Sequence, residues 1–114
     1  MKKLLLPLSF LFAFVLINSN FTFGHATFNG NTSSDWNTNT NWSTNAVPLA
    51  TTDVIIPNLK TCQVNNLTAA VAKTVTIQSG GTLQWASGTN TATLIITPAT
   101  GTVGFDLQSG GTFI

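Results

Sequence analysis

Ile77-Gln78-Ser79-Gly80-Gly81-Thr82-Leu83 and Leu107-Gln108-Ser109-Gly110-Gly111-Thr112-Phe113 share one order: an apolar residue, Gln-Ser-Gly-Gly-Thr, an apolar residue. Glycine bends sharply without steric cost, so each heptad reads as a corner joining two strands, used at two different edges. Self-similarity of this kind marks stacked units that cannot bury an apolar face alone, and it points to a β-solenoid. The heptads lie 30 residues apart, whereas the strand-like starts Val54, Val75 and Leu94 lie about 20 apart. The shorter interval is one coil of a parallel β-helix and the longer fits one and a half, so the coil length stays open. A β-sandwich built from the same strands and turns is the alternative fold.

Outward from the heptads, strand-like runs cover 53–56, 63–65, 74–78, 82–85, 93–97, 103–108 and 112–114, with starts 8 to 12 residues apart. That spacing is typical of all-β architectures, and no stretch keeps apolar residues at helical spacing. Only 6% of residues are charged, far below the roughly 25% of ordinary soluble domains. Thr, Asn, Ser and Gln supply the polar surface instead, the palette of an extracellular β protein. Cys62 is the sole cysteine and reads as a small buried hydrophobe.

Met1-Lys2-Lys3 followed by the apolar run from Leu4 to Ile17 is the layout of a secretory signal peptide. The run is shorter than the roughly 18 to 20 residues of a spanning helix and ends in Asn18-Ser19-Asn20, so no membrane span is expected after cleavage. Gly24-His25-Ala26 offers small residues to signal peptidase, which places cleavage after Ala26, with a site nearer Asn20 as the alternative. The expected organisation is a helical signal peptide at 1–26, an Asn/Thr-rich cap at 27–52, and β-helix-like repeats at 53–114. Cleavage turns the net charge from +1 to −1, with Lys60 and Lys73 against Asp35, Asp53 and Asp106. No basic patch remains for nucleic acid or anionic lipid.

Candidate chemistry is sparse. Glycoside hydrolysis needs two carboxylates across a bond, and the three aspartates show no pairing signal. The only histidine, His25, leaves with the signal peptide, which removes a Ser-His-Asp arrangement. One Cys and dispersed Asp make no metal site, and the Gly-Gly pairs are followed by Thr, which is not a phosphate loop. Neither an enzyme nor a cofactor is expected. Exposed Trp36, Trp42 and Trp85 would suit stacking on sugar rings, against their alternative role as core or cap residues. Sequons occur at Asn31, Asn41 and Asn66, and Thr74-Val75-Thr76 and Thr91-Ala92-Thr93 would support a flat threonine face.

Ser33-Ser34-Asp35-Trp36-Asn37, Asn41-Trp42-Ser43, Val47-Pro48 and Asp53-Val54-Ile55-Ile56-Pro57 together resemble the N-terminal module of large secreted or cell-surface proteins of Bacteroidetes. Those proteins are adhesin- or autotransporter-like, with a parallel β-helix after this stretch and a C-terminal sorting domain after many more coils. The resemblance implies a surface structural or adhesive segment of a larger protein, facing a surface polysaccharide or a host or substrate surface. The first coil of a solenoid needs a cover, and Trp36, Trp42, Pro48 and Asp53 are the expected cap residues. The alternative is a carbohydrate-binding module of a secreted glycan-degrading enzyme, carried by Trp36 and Trp42.

Overall fold

The computed structural model describes residues 24–88 and 91–114. The expected signal-peptide helix lies outside the described residues, apart from the three residues before the expected cut. The described chain is all-β: β1 (Ala26–Thr27), β2 (Asp53–Ile56), β3 (Thr61–Val64), β4 (Ala70–Ala72), β5 (Thr74–Ile77), β6 (Thr82–Trp85), β7 (Leu94–Ile96), β8 (Phe105–Leu107) and β9 (Thr112–Phe113). A single 3-10 turn, Asn39–Asn41, is the only helical element among the described residues.

The strands form three sheets, ordered β1-β2-β5-β8, β3-β6-β9 and β4-β7. All ladders between them are parallel, so the antiparallel sheets of the expected sandwich alternative are absent among the described strands. From β2 onward the chain visits the sheets in a fixed order, β2-β3-β4, then β5-β6-β7, then β8-β9. Side chains alternate across each strand, and one face of every strand except β9 contributes to a common core. Val54 and Ile56, Cys62 and Val64, Ala70 and Ala72, Val75 and Ile77, and Leu83 are buried there.

Both intervals separate paired strands, but Leu94 does not continue the series Val54 and Val75, since it lies in another sheet, and the 30-residue interval joins direct ladder partners in place of the expected one and a half coils. Val54 pairs with Val75 and Thr61 with Thr82, 21 residues on, while Val75 pairs with Phe105 and Thr82 with Thr112, 30 residues on. Ala70 pairs with Leu94 at 24. The offset therefore grows by three residues between β6 and β7 and by six between β7 and β8, and these connections absorb the difference without disturbing the ladders. The Gly-Gly heptads do not serve two different edges, as the sequence suggested. They stack at one corner, where the Leu59 amide donates to Gly80 O at 3.0 Å and the Gly80 amide to Gly110 O at 2.8 Å.

Two strands had no sequence signal. β1 is two residues long, and β4 is Ala-Val-Ala, a poor strand former by propensity, made a strand by its pairing with β7. The expected runs 93–97 and 103–108 shorten to β7 and β8 because Pro98 and Gly104 bound a turn between them. Among the described residues no helix is long and apolar enough to cross a membrane.

Candidate functional site

The tryptophan-bearing segment lies along the outer edges of β2 and β3. β1 pairs with β2, and the Phe28 amide extends that ladder by donating to Ile55 O at 2.9 Å. On the next sheet Asp35 bridges Gln63, with the Trp36 amide donating to Gln63 O at 2.9 Å and the Gln63 amide to Ser34 O at 2.7 Å. Backbone groups thus bond the edges while the aromatic side chains turn inward.

Trp36 and Trp42 are 0% and 1% exposed. Phe28 meets Trp42 edge to face at 5.1 Å, and Trp42 meets Trp36 at 5.0 Å. The Trp42 indole donates to Trp36 O at 2.7 Å. Trp36 Nε1 has no partner and is the one such buried side-chain atom among the described residues. With neither indole face open, the stacking platform expected at Trp36 and Trp42 does not exist here; burial of their large apolar area outweighs any exposed role.

Asn41 holds the segment's shape. It is fully buried, and its side-chain oxygen accepts from the Thr32 and Ser33 amides at 2.9 Å each. Its side-chain nitrogen donates to Ser33 Oγ and Asp35 O, also at 2.9 Å. All four hydrogen-bonding positions of the amide are filled, so the sequon at Asn41 is closed to modification in the folded chain, whereas Asn31 and Asn66 are exposed.

Pro48 is buried and Asp53 half-buried. Asp53 accepts from Thr74 Oγ1 at 2.7 Å and faces Lys73 Nζ at 3.8 Å, a tie between successive strands in place of the amide cap expected before Val54. Asp35 accepts from Asn65 Nδ2 at 2.8 Å and the Asn37 amide at 3.1 Å. Asp106 lies on β8 beside Thr76. The three carboxylates sit apart, Asp53 on β2, Asp106 on β8 and Asp35 at an isolated bridge to β3, none opposite another, and among the described residues no group of three or more His, Cys, Asp or Glu side chains converges. An open depression of about 320 Å³ lies beside the segment, lined by Gly24, Thr44, Ala46, Val47, Pro48, Leu49 and Thr52; it contains no titratable side chain. Cys62 is buried, and burial first, then the negative charge of Asp35, hold its thiol well above the ordinary range.

Two features escaped the sequence reading. Thr61, Thr82 and Thr112 form one column on the outer face of β3-β6-β9, with Gln63 and Gln84 beside it. The threonine triplets singled out by sequence build no such array, since Thr76 lies between Ile55 and Asp106. The second is an aromatic cluster from β6, β8 and β9, where Trp85, Phe113 and Phe105 meet edge to face at 5.9 and 5.3 Å and Trp85 is 38% exposed. No curated protein and no solved structure matches the chain. Residues 27–114, which hold the tryptophan segment and all three sheets except Ala26, match a family described as a domain of unknown function, and the chain belongs to that family, DUF8693.

Proposed function

We propose that this chain is a secreted or cell-surface structural or adhesive segment: a parallel β-helix closed at one end by its tryptophan segment and serving to extend or display what it carries. The observation that carries the reading is the repeated order of three parallel sheets with corners stacked by hydrogen bonds. Each circuit buries its apolar face only against the next, as stacked repeats do. An outer surface of neutral Thr and Gln columns suits a role in spacing and contact. The resemblance of 33–57 to Bacteroidetes surface modules points the same way.

Two measurements test it. Backbone NOEs should join residues 21 apart in the first circuit and 30 apart in the second, Ile56 to Ile77 and Ile77 to Leu107; cross-strand α-proton contacts typical of antiparallel pairs would overturn the β-helix. For export, the protein recovered from the medium or surface of the producing cell is sequenced from its N-terminus. Ala26 is fully buried and pairs with Val54, so a cut after it would split β1; the expected start is upstream of Ala26, nearer the alternative site at Asn20. Recovery only inside the cell, beginning at Met1, would remove the secreted reading.

A further inference from the structure

Asn29 is the one asparagine of the sequence that a glycine follows. With no β-carbon to shield or restrain it, a glycine nitrogen reaches the side-chain carbonyl of a preceding asparagine more easily than that of any other residue. The pair is therefore chemically labile wherever the chain moves freely. In the folded chain both amides are held: those of Asn29 and Gly30 donate to Asn41 O, at 2.7 and 3.2 Å. Asn41 is itself fully buried, its side chain bonded to Thr32, Ser33 and Asp35. On the preceding side Phe28 is buried, bridges Trp42 and donates its amide to Ile55 O. Glycine is required at position 30, because φ is 61° and a β-carbon there would stand 3.2 Å from the Phe28 ring. The fold thus demands the residue that makes Asn29 labile and ties down the nitrogen that would attack it.

We propose that Asn29-Gly30 is a self-modification site closed by the tryptophan segment, a one-way switch thrown when that segment opens. Released from Asn41 O, the Gly30 nitrogen loses its proton to solvent base and bonds to Asn29 Cγ. The side-chain nitrogen leaves as ammonia, and a five-membered imide closes. Water then adds to one of the two ring carbonyls and breaks its bond to the Gly30 nitrogen. Attack at Cγ leaves aspartate; attack at the main-chain carbonyl leaves isoaspartate, in which the chain runs through Cβ and Cγ. The balance is one water in and one ammonia out. Either product puts a carboxylate where Asn29 had a neutral amide. Isoaspartate also lengthens the main chain between the two amides by one carbon, so they no longer converge on Asn41 O. A buried carbonyl stripped of its donors is costly, and the segment avoids that cost by staying open. The site does not depend on the surface role proposed above.

The full chain is kept in mildly alkaline buffer with a reductant for Cys62, folded and in urea, and peptide mapping follows the amide-to-acid mass gain at Asn29. Conversion in the folded chain needs local opening and is expected to be slower by about tenfold or more. Trp42→Phe, which loosens the segment, should raise the folded rate several-fold. Chains converted in urea and returned to buffer should keep red-shifted tryptophan emission. Asn29→Gln, whose longer side chain closes the ring far more slowly, should regain the parent's original emission after the same treatment. Equal rates in the folded and unfolded chain, or a Trp42→Phe rate no higher than the parent's, would overturn the closure by the tryptophan segment. Converted chains that regain the original emission, or a red shift in Asn29→Gln as large as in the parent, would overturn the switch.

Discussion

Leu59 occupies the left-handed region at φ 61° and is 86% exposed. It stands at the turn after β2, beside the equivalent turns after β5 and β8 that have Gly80 and Gly110, at φ 79° and 87°. A β-carbon on Gly80 would run into the Asn58 side chain, and one on Gly81 would come within 2.7 Å of Ile56 O, so the later corners need their glycines for both conformation and space. The first corner, with nothing of its kind stacked outside it, tolerates Leu at a cost in backbone strain of about 1–2 kcal/mol. Glycine gives back part of that through its freer unfolded chain. Leu59→Gly is therefore expected to stabilise the fold by about 0.5–1 kcal/mol, the difference of those two effects. A raised urea midpoint would show it; an unchanged or lowered one would mean that Leu59 packs on something in solution.

At the scale of the element, the tryptophan segment is two structures in one: hydrogen bonds to β2 and β3 on its rim, and edge-to-face rings within. The two indoles are not equivalent. Trp42→Phe strands the buried Trp36 carbonyl, a loss of about 1–3 kcal/mol, whereas Trp36→Phe removes an indole nitrogen that has no partner. The expected order of urea midpoints is parent, then Trp36→Phe, then Trp42→Phe. Were the phenylalanine variants equally unstable, the Trp42 hydrogen bond would contribute nothing. The same element shows what sequence could and could not disclose. The spacing of the tryptophans and the Val-Pro and Asp-Val-Ile-Ile-Pro steps marked it out, but that the rings face inward depends on β1, a two-residue strand that exists only because β2 lies beside it.

For the whole molecule, the burial of Cys62 links stability to pH. The folded thiol stays protonated far above the ordinary value of 9.0, while the unfolded thiol ionises there. Above about pH 9 the unfolded state thus binds fewer protons than the folded one, and stability falls by up to about 1.4 kcal/mol per pH unit. Below that pH the contribution is complete and flat. Urea midpoints between pH 7 and pH 10.5 should fall for the parent and stay more nearly level for Cys62→Ala, which starts lower because it leaves a small cavity. Parallel slopes in the two would mean that Cys62 is not the group responsible.

What the sequence alone determined is local. The Gly-Gly-Thr corners, the alternating Val and Ile of β2 and β5, the shortage of charge and the absence of helical periodicity each follow from the steric and solvation preferences of a few adjacent residues. Tertiary structure decided the rest. Only pairing across 21, 24 and 30 residues shows that both intervals in the sequence separate strands paired in parallel, because loop length is free wherever the strands keep register. Only pairing with β7 makes Ala70-Val71-Ala72 a strand, and only tertiary packing buries Trp36 and Trp42 in place of displaying them. Burial is set by what packs against a side chain from elsewhere in the chain, and no residue carries that in its own chemistry.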